Sequence, residues 1–199
     1  MDDAVVGLIG KMAIAASLAA LGAVAALTWR AGDPAAIWLT PDQRGLLAMA
    51  DKRFADAAGR FEHPGWRGLA LYRVGDYAEA AGSFGRIPTA IGFYNRGDAL
   101  MKNREYGKAI EAFELAVAEA PAWREAQENL ALAELSRANH GATADPRPHL
   151  EAALGHVTAA LEVYDPEHMP FHHEQATRLR DDLLARLGDG GAGQGPGAV

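Results

Sequence analysis

The pattern of hydrophobic and polar positions divides the chain into three regions. Residues 12–29 form an apolar run of 18 positions without a charge. From residue 41 to residue 139, apolar side chains recur at helical spacing in short runs that Gly, Pro, Asp or Asn interrupt. Two longer amphipathic segments follow. Few segments are rich enough in β-branched or aromatic residues for strands, so the pattern predicts an all-α fold.

The apolar N-terminal run has two competing interpretations. Eighteen uncharged residues are the lower limit for a helix that spans a hydrocarbon core of about 30 Å. Trp29 and Arg30 end the run as an interfacial anchor does. Alternatively, the run is a cleaved signal peptide, with Lys11 as its basic region and Ala23–Ala25 as a small-residue cleavage site. We predict a transmembrane anchor over residues 1–30 and a linker over residues 31–40.

The middle region is self-similar. Aligned on an Arg-Gly pair, three segments read RGLLAMADKRFADAAGRF, RGLALYRVGDYAEAAGSF and RGDALMKNREYGKAIEAF. They share a glycine, then an aromatic residue, an alanine and a phenylalanine at the same offsets. These positions are Gly45, Gly68 and Gly97; Phe54, Tyr77 and Tyr106; Ala57, Ala80 and Ala109; and Phe61, Phe84 and Phe113. Such agreement predicts a repeated helix–turn–helix unit.

Each shared position has a packing role in this prediction. The glycine lets the second helix approach the first closely. The aromatic residue begins the second helix, and the alanine forms the tight contact between the two helices. The phenylalanine is expected to fill the gap to the next unit. One such unit cannot bury its apolar face alone, so the units are expected to stack as an array over residues 41–139.

The third copy resembles the tetratricopeptide repeat. AIGFYNRGDALMKNREYGKAIEAFELAVAEAP matches that family's pattern at Phe93, Gly97, Leu100, Tyr106, Ala109, Phe113, Ala116 and Pro121. The other two copies are shorter than the usual repeat of about 34 residues. Pro64 and Pro88 are expected to cut their second helices short.

A narrower resemblance rests on the stretch from WLTPDQ to WRGLALYR. This stretch is similar to the membrane-proximal repeat region of the Bat-type (aerotolerance operon) proteins, which often also carry a von Willebrand factor A domain. The chain has no Asp-x-Ser-x-Ser motif of such a domain. The resemblance implies protein partners, namely von Willebrand factor A proteins and a MoxR-type AAA+ ATPase. It also implies a protein of the bacterial inner membrane. The charges that flank the apolar run, Lys11 on one side and Arg30 on the other, lead us to predict a single pass with the N-terminus inside and the soluble part in the periplasm.

The tetratricopeptide resemblance also implies a groove that binds a peptide. In that family, residues of the first helices line the concave face. The corresponding residues here are Trp66, Leu69, Tyr72 and Arg73 in one unit, and Tyr94, Asn95, Asp98, Met101 and Lys102 in the next. Aromatic, amide and basic side chains together suit an extended peptide.

The C-terminal region is predicted to add two helices over residues 140–188, after a capping helix that ends at Asn139. A disordered tail is predicted over residues 189–199 because it is rich in glycine. His168, His172 and His173 are weak candidates for metal ligands. Pro170 separates the first of them from the others, so no metal site is predicted. The alternative function is an exported assembly factor for a metalloenzyme, which would use this His-rich region.

Composition and charge exclude several classes of function. The net charge of −7 argues against a nucleic-acid partner, and the absence of cysteine excludes thiolate chemistry. No phosphate loop, nucleophile motif or HExxH is present. We therefore predict no enzymatic activity, no cofactor and no small-molecule substrate.

Three arginines recur at the same position of the repeat, namely Arg44, Arg67 and Arg96. They could form an anion site. We favour the alternative that each aliphatic stem packs between helices while its guanidinium group lies near an acidic residue.

Overall fold

The computed structural model describes residues 3–30, 36, 38–140 and 145–192. These ranges contain ten helices and no strand, which confirms the predicted all-α class for this part of the chain. The chain divides into two compact units, residues 1–62 and 63–199. The helices are α1 (Asp3–Arg30), α2 (Pro41–Ala50), α3 (Phe54–Arg60), α4 (Pro64–Val74), α5 (Tyr77–Phe84), α6 (Ala90–Lys102), α7 (Tyr106–Glu119), α8 (Arg124–His140), α9 (Arg147–Val163) and α10 (Pro170–Ala192).

The apolar N-terminal run lies in α1, a helix of 28 residues. Residues 11–27 are exposed throughout. Among the described residues, no helix combines the length and the hydropathy that crossing a lipid bilayer requires, so the predicted transmembrane anchor finds no support here. Of the predicted linker, residues 31–35 and 37 lie outside the described residues.

Three helix pairs follow the repeat observed in the sequence. The second helices α3, α5 and α7 begin at Phe54, Tyr77 and Tyr106, which are the shared aromatic positions. The three shared alanines, Ala57, Ala80 and Ala109, are completely buried. The short lengths of α3 and α5, 7 and 8 residues against 14 in α7, agree with the expected truncation of the first two units.

The shared phenylalanines pack inside their own repeats. A Cβ added to Gly45, Gly68 or Gly97 lies 2.6, 2.7 or 2.6 Å from the phenylalanine ring of the same unit. The contact differs from the expectation that the ring fills the gap to the next unit. Because a glycine has no side chain, the ring can lie directly against the backbone of the first helix, and the glycine and the phenylalanine therefore form one packing element.

The turns between paired helices share a backbone conformation that the alignment did not show. Lys52, Gly75 and Arg104 stand seven residues after the shared glycine and have positive φ of 60°, 92° and 62°. In each turn, the next backbone N–H donates to a carbonyl near the end of the first helix, at 2.8 to 3.0 Å. The left-handed residue thus ends the first helix and satisfies one of its last carbonyls. Only the second repeat uses glycine there.

Side chains cap the first helices at their N-termini. Thr40 and Gln43 form a reciprocal capping box at α2, with hydrogen bonds of 2.9 and 3.2 Å. His63 Nδ1 accepts from Gly65 N at 3.1 Å at α4, and Thr89 Oγ1 accepts from Gly92 N at 3.3 Å at α6. These caps satisfy N–H groups that the helices leave unpaired, and they set where each repeat begins.

The helices α8, α9 and α10 form the C-terminal part of the second unit. Ala126 and Leu130 of α8 are buried. Ala131, Val157 and Leu183, one from each helix, belong to a common hydrophobic cluster with Leu150, Ala153, Ala160, Tyr164 and Ala176. The helices α8 and α9 pack together as the earlier pairs do. Consequently, α8 is the first helix of a further pair rather than only a cap.

One end of the two C-terminal helices differs from the prediction. Within the predicted C-terminal region of residues 140–188, the helix α9 begins at Arg147, because Pro148 fits the first turn of a helix, where its missing N–H is not needed. The helix α10 continues to Ala192 instead of ending at Gly188, since glycine weakens a helix without necessarily ending it. Residues 189–192 of the predicted tail are therefore helical, and residues 193–199 lie outside the described residues.

Candidate functional site

A hollow lies between α6 and α8, the first helices of two successive pairs. Its volume is about 240 Å³. Asp98, Met101 and Lys102 of α6 line one side, and Asn129 and Leu132 of α8 line the other. Three residues predicted for the groove therefore lie together, and two residues that were not predicted complete the wall. We call this hollow with its five lining residues the groove.

The amide of Asn129 is held in one orientation by two hydrogen bonds to α6. Its Nδ2 donates to Tyr94 Oη at 3.0 Å and to Asp98 Oδ1 at 3.1 Å. Both amide hydrogens are thus used inside the protein. The amide oxygen of Asn129 is the group that stays available to accept a hydrogen bond from a ligand.

Tyr94 supports the groove from beside it, through its hydrogen bond with Asn129. Its ring stacks on Trp123 with 4.5 Å between ring centroids, and it meets the ring of Phe113 edge-on at 5.8 Å. Burial, followed by the nearby Asp98 carboxylate, raises the pKa of Tyr94 to about 12, so its hydroxyl keeps its proton at neutral pH. Because Phe113 lies on Gly97, the groove wall continues directly into the packing core of the repeat.

The Asp98 carboxyl is the main electrostatic feature of the groove. Burial raises its pKa above the ordinary value, and the positive charge of Lys102 partly opposes that rise. The pKa of Tyr72 in α4 is also raised, mainly by burial and then by the charge of Asp98. A half-buried carboxylate beside an exposed ammonium group can bind both donors and acceptors of a peptide.

The residues predicted from α4 are not part of this hollow. Tyr72 packs edge-on against Tyr77, with 5.2 Å between ring centroids. Trp66 and Arg73 are exposed, and Leu69 is half-buried. Asn95, predicted from α6, is also half-buried and outside the hollow. Whether these residues contact a partner stays a prediction.

The contribution of α8 was missed although the sequence carried a signal for it. Asn129 and Ala131 follow Asn95 and Gly97 by 34 residues, which is the ordinary length of a tetratricopeptide repeat. Ala131, in the place of the glycine, is completely buried. Extending the register by one full repeat would have assigned α8 as a first helix and Asn129 as a groove residue.

Polar contacts attach α9 to α8. His149 Nδ1 lies 2.6 Å from Glu134 Oε2, a carboxylate that is among the few buried charged groups of the described residues. The Tyr164 hydroxyl donates to Glu128 Oε2 at 2.7 Å. Because a buried carboxylate that lacks a partner is destabilising, the contact of His149 with Glu134 favours this packing of α9 on α8.

The three histidines near the start of α10 have separate surroundings. His168 Nδ1 lies 2.5 Å from Asp165 Oδ2, and His172 stacks on Tyr164 with 5.7 Å between ring centroids. The backbone N–H of His173 donates to the carbonyl of Met169. Across the described ranges, no three His, Cys, Asp or Glu residues are grouped to hold a metal ion.

Comparison with known proteins agrees with this architecture. A family model, described as tetratricopeptide repeat, matches residues 90–123, which cover α6, α7 and the connection to α8. The chain contains a tetratricopeptide repeat. A search of curated proteins gave no match.

Two solved structures are similar to most of the chain. One is "MamA RS-1 ArsTM double mutant", which is 21% identical with a TM-score of 0.51; the match covers 71% of this chain and 89% of that one. The other is MamA 41-end from Desulfovibrio magneticus RS-1, also 21% identical, with a TM-score of 0.50 and coverage of 73% and 92%. At this identity the likeness concerns the fold alone. The Bat-type resemblance stays a prediction.

Proposed function

We propose that this protein is a scaffold that binds an extended segment of a partner protein in the groove between α6 and α8. One observation carries the proposal: Asn129 is oriented by Tyr94 and Asp98 at the edge of a hollow that first helices of successive pairs line. Stacked helix pairs create binding surfaces of this kind. The tetratricopeptide repeat at residues 90–123 supports a role in protein–protein interaction.

Each groove residue would contact a different part of a bound peptide. The Asn129 amide oxygen accepts from a backbone N–H, and the Lys102 ammonium group donates to a carbonyl or carboxylate. Met101 and Leu132 offer apolar contact to a side chain. Met101 can adjust to different side chains because it is unbranched and polarisable. These features favour binding over catalysis.

A more specific proposal concerns the partners of this protein and its location in the cell. The resemblance to the Bat-type proteins supports it. We propose that the partners are von Willebrand factor A proteins and a MoxR-type ATPase of a Bat-type complex. We also propose that α1 attaches the chain to the bacterial inner membrane and that the rest lies in the periplasm. The exposed apolar side chains of α1, among them Ile14, Leu18 and Leu21, favour contact with lipid.

Site-specific crosslinking tests the groove. With a benzophenone amino acid in place of Met101, we expect crosslinks to a protein partner in membranes solubilised with detergent. The same amino acid in place of Leu115, which is exposed on α7, is the matched control and should not give those products. Asn129→Ala should reduce the Met101 crosslinks about threefold to tenfold, because it removes the oriented amide, a loss of about 1 kcal/mol. Identical products from both positions, or products insensitive to Asn129→Ala, would contradict groove binding.

Fractionation tests the location. We expect the full chain to stay with inner membranes after alkaline carbonate extraction, and a variant lacking residues 1–30 to be released, because α1 carries the exposed apolar surface. Protease added to spheroplasts should digest the part of the chain after α1. Equal release of the full chain and the truncated variant would argue against attachment through α1, and protection of the full chain would place it on the other side.

A further inference from the structure

Two hollows adjoin each other on another face of the second unit. The larger one, of about 730 Å³, lies where the α6–α7 turn and the start of α7 meet the end of α8. The smaller one, of about 380 Å³, lies between α5, α6 and α7. Glu105 and Lys108 line both, so the two hollows form one continuous surface. We call it the basic surface.

Arginine side chains dominate the basic surface. Arg86 and Arg96 line the smaller hollow, and Arg104 and Arg137 line the larger one. Within the ranges that the structure describes, none of these four guanidinium groups makes an ion pair. These four cations create a local positive potential on a chain whose net charge is −7.

The acidic residue shared by the hollows is already compensated. Glu105 forms an ion pair with Lys108 and accepts a hydrogen bond of 2.5 Å from Asn103 Nδ2. These hydrogen bonds lower the pKa of Glu105 below its ordinary value, so it is ionised and occupied at neutral pH. The charge of the arginines therefore faces the solvent without an internal counter-charge in contact.

A glycine brings the backbone close to a guanidinium group in each hollow. A Cβ added to Gly107 lies 2.7 Å from Arg137 Nη1, and a Cβ added to Gly85 lies 3.6 Å from Arg96 Nε. The Nε atom of Arg137 is buried and has no hydrogen-bond partner in the described part of the chain. Gly107 thus opens the space in which the Arg137 guanidinium group lies, with a buried N–H that lacks an acceptor.

Arg104, which lines the larger hollow, has a left-handed backbone conformation. Its φ is 62°, whereas the equivalent turn of the second repeat uses Gly75 with a φ of 92°. Glycine adopts this conformation without steric cost, and an arginine does so at a cost of about 1 kcal/mol. The first repeat also has a cation in this turn, Lys52 with a φ of 60°, and in the third repeat the cation lies at the rim of the larger hollow.

We propose that the basic surface binds an acidic segment of a partner protein, with the carboxylates of that segment seated on Arg96 and Arg137. Guanidinium groups bind carboxylates through two parallel hydrogen bonds, and the larger hollow also presents the Tyr106 ring for apolar contact. Along α6, Arg96 is two residues from Asp98, so the two side chains lie on different faces of the helix. The basic surface is therefore separate from the groove.

The mixture of charges favours a protein segment over a denser polyanion. Glu111 also lines the larger hollow and would repel closely spaced phosphates. In a peptide, carboxylates are separated by backbone N–H groups, which can donate to Glu111. Two of the three repeated arginines, Arg67 and Arg96, also differ in their surroundings. Arg67 lies 3.6 Å from Glu79, as the favoured interpretation expected, whereas Arg96 faces a hollow.

A labelled peptide tests this inference. The probe is a fluorescein-labelled decapeptide in which glutamate alternates with alanine, and fluorescence anisotropy measures its affinity. We expect Arg96→Ala with Arg137→Ala to weaken binding about tenfold or more, because two charge-assisted contacts are lost. The control variant, Arg147→Ala with Arg178→Ala, removes the same charge from exposed arginines that pair with Glu151 and Glu174, and it should bind normally.

Two further variants separate binding from folding and from the groove. Arg104→Gly suits the left-handed backbone, so it should retain or raise thermal stability while it weakens binding about threefold. Asn129→Ala should leave the affinity for this peptide unchanged, whatever becomes of the groove proposal.

Three results would overturn the inference. The first is that the peptide does not bind at all. The second is an equal loss of affinity in the two double variants, since binding would then reflect total charge alone. The third is tighter binding of inorganic tripolyphosphate than of the peptide with the same dependence on Arg96 and Arg137, which would assign the surface to a phosphate ligand.

Discussion

Phe113→Ala is expected to lower the free energy of unfolding by about 3–5 kcal/mol. The Phe113 side chain is completely buried. Its ring lies against Gly97 and meets Tyr94 edge-on at 5.8 Å. Truncation therefore removes a large apolar side chain and leaves a cavity that the helix backbone cannot fill. Urea denaturation monitored by circular dichroism measures the loss.

Leu115→Ala is the control for this prediction. It removes a large apolar side chain from the same helix, but Leu115 is 45% exposed. We expect it to change the free energy of unfolding by less than about 1 kcal/mol. Similar losses for both variants would mean that the ring of Phe113 does not hold α6 and α7 together. The Met101 crosslinks can also be compared in the two variants at temperatures where both are folded. Their loss in Phe113→Ala but not in Leu115→Ala would show that the Phe113 ring also positions Tyr94.

Gly97→Ala is expected to lower the free energy of unfolding by about 1–3 kcal/mol, although alanine favours helices. The new Cβ would lie 2.6 Å from Phe113 Cε1, and a buried ring has little space to move away. The helices α6 and α7 must separate slightly or the ring must leave its preferred rotamer. Thermal and urea denaturation of the full chain measure the effect.

Gly155→Ala is the matched control, because Gly155 lies inside α9 and an added Cβ there meets nothing within 4 Å. We expect it to raise the free energy of unfolding by about 0.5–1 kcal/mol through helix propensity alone. Replacing Phe113 by Leu in the Gly97→Ala background should recover part of the loss, which a double-mutant cycle can measure. Independent, additive effects of Gly97 and Phe113 would contradict the contact between them.

The repeat was predictable because its packing uses small and large residues at fixed offsets. Gly68 and Phe84, like their equivalents, can be found by alignment since their contact is within one helix pair. Asn129 was harder to find, because its role depends on α8 following α6 at full repeat length, after two shortened units had hidden that period. The positive φ of Arg104 could not be predicted from the sequence, since arginine is an unusual residue at a left-handed position.

By itself, the sequence determined the helical class, the repeat unit and the use of Gly97, Ala109 and Phe113 as packing positions, whereas the structure showed that the Phe113 ring packs inside its own unit. These depend on contacts between neighbouring helices, and such contacts impose a period that can be read along the chain. Only the tertiary structure decided that Asn129 joins Asp98 and that Arg96 and Arg137 line one surface. Those groups come from different helix pairs, so their proximity follows from how the pairs stack, which no local pattern records.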